Sequence, residues 1–135
     1  PEHVTLKGTI RTMSVQMRDL AEQRLKEISN SVSQMFGGSC KVNFRPGYPV
    51  MENHKEQTDF AASIATSVSG SCEEAPLVMG GEDFSYMLNE RPGAYILVGN
   101  GDTAACHHPA YNFSDDIIPS GCSYWAELIE KRLPR

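Results

Sequence analysis

No stretch of this sequence holds the roughly 20 consecutive apolar residues that a bilayer-spanning helix requires. Its first residues, PEHVTLKG, have neither the basic start nor the apolar centre of a signal peptide. A soluble, cytoplasmic protein with no membrane partner is therefore expected. Positive charge is also scarce, with 12 Lys and Arg against 17 Asp and Glu and a net charge of -5. Binders of the phosphate backbone need clustered Lys and Arg, so no nucleic-acid partner is expected. The four cysteines, Cys40, Cys72, Cys106 and Cys122, include no C-x-x-C pair, which argues against a zinc knuckle or a dithiol redox motif. In a cytosolic chain most of them are expected to be small core residues rather than disulfide partners. The glycine-rich MGGEDF, residues 79–84, has neither the spacing of a dinucleotide-binding turn nor the lysine of a phosphate loop.

What is present is ordinary for a globular chain: 135 residues, 40% hydrophobic and 21% charged, enough to bury a modest core. The chain opens on Pro1 rather than methionine and is in a strand-like pattern by Val4, which raises the expectation of a fragment. Val4, Leu6, Gly8 and Ile10 alternate with Thr5, Lys7, Thr9 and Arg11, the period of a half-buried strand. Ser14 can cap a following helix, in which Met17, Ala21, Leu25, Ile28, Val32 and Met35 recur at helical spacing until Gly37 and Gly38. Cys40, Val42 and Phe44 then suggest a second strand. A strand-helix-strand unit follows from this, and its apolar face of Val4, Leu6, Ile10, Val42 and Phe44 is expected to drive self-association if its sheet is incomplete.

Residues 45–59 combine the breakers of PGYP with a polar run and read as a linker. Beyond them a helix is expected over residues 60–68, a short helix over 83–89, and a buried-type strand in GAYILVG, residues 93–99. Pro119 fits the first turn of a last helix, whose apolar stripe would be Cys122, Trp125, Ala126, Ile129 and Leu133. The expected fold class is α/β.

The chemistry-bearing stretch is ACHHPAYNFSDD, residues 105–116. Neutral imidazole is the commonest protein ligand for zinc-like ions, and adjacent histidines in extended backbone point opposite ways, so one of His107 and His108 at most would serve a given metal. A solvent-facing loop histidine is the competing reading. Asp115 and Asp116 could support a metal or cap the helix near Pro119. Glu82 and Asp83 in MGGEDF could face a ligand or simply form a turn and cap. Arg11, at a strand end, could grip a carboxylate through two parallel hydrogen bonds or remain a solvated surface arginine.

Taken in order, LKGTIRT, FRPGYPVMEN, VMGGEDFSYMLNERPGAYILVGNGD and CHHPAYNFSDDIIPSGCSYW resemble the C-terminal part of the metal-dependent amidohydrolases of the aminoacylase, hippurate hydrolase and indole-acetyl-amino-acid hydrolase group. These belong to the wider di-metal peptidase family. The resemblance implies half of a ferredoxin-like lid, used in substrate binding and homodimerisation, over residues 1–48. It implies the C-terminal segment of an α/β catalytic domain over residues 49–135. By the same resemblance His107 is a metal ligand, His108 is not, Arg11 holds the substrate carboxylate, and Asn53 lies on the substrate side. The implied reaction is cleavage of the amide bond of an N-acyl amino acid by metal-activated water, with two divalent ions, zinc or manganese, in the full enzyme. No catalytic residue is expected in this chain, because the family's general base and other metal ligands would lie upstream of Pro1. Neither Glu82 nor Cys106 substitutes for them. The chain alone is thus expected to lack turnover and not to bind the metal pair, its partner being the missing N-terminal part of the same protein. The alternative is a non-catalytic binding or dimerisation module of the same fold.

Overall fold

A computed structural model describes residues 1–133. Four helices order the described residues: α1 over Val15–Met35, α2 over Lys55–Ser69, α3 over Phe84–Glu90 and α4 over Ile118–Arg132, with a 3-10 turn, Asp115–Ile117, leading into the last. Two compact units result. One combines Pro1–Glu52 with Leu77–Glu90, and the other combines Asn53–Pro76 with the chain from Arg91 onward.

α1 is written locally. The Ser14 hydroxyl accepts from the Met17 main-chain N–H at 3.2 Å, which satisfies one of the donors a helix start leaves open. At the other end Gly37 takes a positive φ of 71°, and its N–H donates to the Gln34 carbonyl. Within the same unit α3 buries Ser85 and Leu88. Tyr48 and Tyr86 meet edge to face with ring centres 5.9 Å apart. Gly81 lies so close to Tyr48 that a Cβ there would sit 3.1 Å from the ring, so the position favours glycine.

The other unit is built on the pairing of α2 with α4. Ala61, Ile64 and Tyr124 are buried in it, Ile64 completely. Arg132 lies over the Phe60 ring at 5.8 Å, and Gly70 ends α2 in the left-handed conformation.

The α/β expectation is overturned: among the described residues there is no strand, and neither the strand-helix-strand lid nor an α/β catalytic segment is formed. The helix of that unit is present but its flanks are unpaired. Period-two spacing states which face of a strand would be covered, whereas a strand exists only with a second backbone about 4.8 Å away to complete its ladder. Residues 1–10 are all exposed, Leu6 at 91%. Only Val42 and Phe44, half-buried between exposed neighbours, retain the alternation. The cysteines are likewise exposed thiols rather than core residues.

Two smaller corrections follow. The linker expected over residues 45–59 ends early, because its polar run KEQTD forms the first turn of α2, braced by Lys55 and Asp59 at 2.7 Å. In α4 the face against α2 carries Tyr124, whereas Trp125, Ile129 and Leu133 of the expected stripe are exposed.

That packing has a pH signature. Burial pushes the Tyr124 phenol above its usual value, and the charge of a Cys72 thiolate adds to the shift. A group with a raised folded-state pKa contributes stability that is complete below its unfolded value, about 10 for tyrosine, and lost as pH rises through the folded value. The α2–α4 unit should therefore lose stability above about pH 10 more steeply in the wild type than in Tyr124→Phe. Denaturation followed across that range checks it, and equal slopes would refute it.

Candidate functional site

Residues 105–113 form an exposed loop, and Ser114 leads from it into the 3-10 turn before α4. His107 stands in it with a φ of 70°, a left-handed conformation that histidine visits more readily than most residues. His108 is turned to a local task. Its Nδ1 accepts from the Ala110 N–H at 3.0 Å, its own N–H donates to the Ala105 carbonyl at 3.0 Å, and its carbonyl accepts from the Tyr111 N–H at 2.9 Å. The two histidines thus differ in kind: one braces a turn, the other occupies a special backbone state beside it.

Asp115 and Asp116 lie in the 3-10 turn that opens α4. The cap is Ser114, whose hydroxyl accepts from the Asp116 N–H at 3.3 Å. Acids at a helix start are favoured by the dipole, so this turn explains them without a ligand.

The neck of the loop was not legible in the sequence. Asn100 donates through Nδ2 to the Asn112 carbonyl at 2.7 Å and accepts through Oδ1 from the Ser114 N–H at 2.8 Å. The NGD run around Asn100 reads only as a turn, and nothing local in it specifies partners 12 and 14 residues away.

Asn53 makes a similar clasp in the same unit. Its Oδ1 accepts from the Tyr95 N–H at 2.8 Å, and its Nδ2 donates to the Tyr95 carbonyl at 2.9 Å. Next to it the His54 N–H donates to the Gly93 carbonyl at 3.1 Å, while His54 Nδ1 accepts from the Gly93 N–H at 3.2 Å. Asn53 and His54 together hold residues 93–95 alongside the start of α2. His54 is a further residue that the sequence did not single out.

Arg11 is exposed on the segment leading to α1. In the same unit a cleft of about 270 Å³ opens at the helix start, lined by Met13, Val15, Gln16, Pro49, Glu52 and Asn89. Glu82 serves α3. Its carboxylate accepts from the Phe84 N–H at 3.0 Å and its carbonyl accepts from the Ser85 hydroxyl at 2.6 Å, so MGGEDF acts as a turn and cap.

Among the described residues no three His, Cys, Asp or Glu side chains converge as a metal site. Residues 2–131 match the profile of peptidase family M20/M25/M40. The chain belongs to this family. It is 32% identical to thermostable carboxypeptidase 2 of Saccharolobus solfataricus, over 97% of this chain and 35% of the relative. It is 30% identical to hippurate hydrolase of Campylobacter jejuni, over 98% of this chain and 36% of the relative. To N-acetylcysteine deacetylase of Bacillus subtilis it is 23% identical, over 95% and 34%. The chain therefore spans about a third of the length of the curated relatives it matches. No solved structure matches it. The family is in general dependent on two metal ions. The donors of these described residues do not compose such a centre on their own, since a metal site takes three or four protein ligands. Nor is any of their helices long and apolar enough to cross a membrane.

Proposed function

We propose that this chain is the C-terminal third of a metal-dependent amidohydrolase that cleaves N-acyl amino acids of the hippurate type. The observation that carries the reading is the family match across residues 2–131, joined to relatives whose names include hippurate hydrolase and N-acetylcysteine deacetylase. In this reading His107 supplies one ligand to a centre of two zinc or manganese ions, and the remaining ligands and the general base belong to the rest of the enzyme. Imidazole accepts several divalent metals, so His107 alone does not fix which of them is native. Arg11 receives the carboxylate of the amino acid through two parallel hydrogen bonds, which orients the amide for attack. Asn53 contributes on the substrate side through the Tyr95 main chain that it holds.

Residues 1–48 serve substrate binding and pairing with a second copy, for which the exposed Val4, Leu6 and Ile10 supply apolar surface. Residues 49–135 belong to the catalytic part. The cytoplasm suits the protein, because four exposed thiols persist as thiols in a reducing compartment.

The test is benzoate release from hippurate with zinc or manganese. The 135-residue chain alone should release none, and combination with a polypeptide supplying the remaining two thirds should restore it. In that reconstituted enzyme His107→Ala should lower the rate by at least about 100-fold, since loss even of a ligand's supporting partner costs about 10- to 100-fold. Turnover by the chain alone would sink the proposal. Tight binding of hippurate without turnover after reconstitution would favour a non-catalytic module instead.

A further inference from the structure

The loop that carries His107 is closed at its neck chiefly by the Asn100 side chain. Through a single amide, Asn100 binds the Asn112 carbonyl at 2.7 Å and the Ser114 N–H at 2.8 Å, and the Thr103 hydroxyl adds a longer bond to the same carbonyl at 3.5 Å. An asparagine amide offers both N–H donors and a carbonyl acceptor, the same chemistry as a peptide group, and here uses one of each. It can therefore stand in for a neighbouring strand at two main-chain groups of residues 112 and 114, which share an edge in extended backbone.

A second observation points the same way. His107 is the one non-glycine residue with positive φ among the described residues, at 70°. Sparsely populated backbone states persist where the surroundings over-determine them. On the far side of His107 the turn is fixed by His108, whose ring accepts from the Ala110 N–H. On the near and return sides the chain is fixed by Asn100. Beside the Asn100 neck, the longer Thr103 bond also joins the two ends of residues 101–113.

We propose that Asn100 is the positioning residue of the His107 loop, acting through the main chain of Asn112 and Ser114 to present the imidazole in one orientation. Asn100 touches neither substrate nor metal in this role. The functional meaning rests on the reading of His107 as a ligand. Loss of outer-shell support of this kind typically weakens metal affinity or activity by about 10- to 100-fold, which sets the scale of the effect.

The experiment uses the isotopically labelled 135-residue chain. In Asn100→Ala, exchange of the Ser114 amide should accelerate at least about 10-fold, and the imidazole signals of His107 should move toward those of the exposed His3, while amides of α1, α2 and α4 keep their protection. Asn100→Asp separates positioning from general damage. Its carboxylate still accepts from Ser114 but cannot donate to Asn112, so the loop should be intermediate at neutral pH. Protonation below about pH 4 restores the donor and should restore protection of Ser114 relative to the alanine variant. Unchanged Ser114 exchange in Asn100→Ala, or a loosened loop with unmoved His107 signals, would overturn the positioning role. Full hydrolysis by a reconstituted His107→Ala enzyme would overturn instead the ligand reading beneath it, so the two failures are distinguishable.

Discussion

Truncation of Ile64 to alanine is expected to destabilise the α2–α4 unit by about 3 kcal/mol, within the range for removing a buried isoleucine side chain. Ile64 is fully buried, and its buried neighbours in the unit are Ala61 at 5% exposure and Tyr124 at 8%. α2 and α4 hold their backbones as paired helices, so the space left by the lost methyl and methylene groups is expected to close only in part. The cost then combines the lost transfer free energy with that of the cavity. Amide exchange in α2 and α4 should accelerate roughly 150-fold, the equivalent of that free energy, with α1 of the other compact unit as the internal reference. Ile64→Val, which removes one methylene, should cost about 1 kcal/mol. A cost below about 1 kcal/mol for the alanine variant would mean that the unit is not organised around this residue.

The contrast between what could and could not be read in advance follows the range of the interactions. α1 was legible because its boundaries are local: Ser14 bonds to a residue 3 positions on, and Gly37 turns the chain by its own φ. Pro119 marked the start of α4 for the same reason. The start of α2 escaped because its first turn is polar on the exposed side, and a polar run after PGYP resembles a loop until the Lys55–Asp59 brace is seen. In α4 two apolar stripes compete, and composition cannot say that Tyr124 rather than Trp125 faces α2. The strands failed on a different ground. Alternation in residues 4–10 and the apolar run in 93–99 describe side chains, while a sheet requires backbone partners that these described residues do not give one another. His107 is singled out only by the motif around it, and its ligand role stands as a proposal. Asn100 and Asn53 were not given their observed bonds, because an amide that binds main chain 12, 14 or 42 residues away leaves no local trace.

Asn53 offers the second large effect. Asn53→Leu conserves approximate size but removes both bonds to Tyr95, at 2.8 and 2.9 Å, from a half-buried segment. Lost hydrogen bonds to main chain in partly buried positions contribute about 1 kcal/mol each, and more where water cannot replace them, so a local cost of about 2 to 3 kcal/mol is expected. The neighbouring pair between His54 and Gly93 should survive in part, because its two bonds use the His54 main chain and ring rather than Asn53. Exchange at the Tyr95 amide should therefore rise by roughly 30- to 150-fold, with a smaller rise at Gly93. Asn53→Asp keeps the acceptor for the Tyr95 N–H but sets a carboxylate against the Tyr95 carbonyl. Its protonated form can donate to that carbonyl, so this variant should regain stability as pH falls through the carboxyl range, the direction given by a raised folded-state pKa. The same variants separate two roles for Asn53 in a reconstituted enzyme. Weakened substrate binding together with faster Tyr95 exchange would mean that Asn53 acts by holding residues 93–95. Weakened binding with exchange unchanged would mean that its amide leaves Tyr95 and meets the substrate directly.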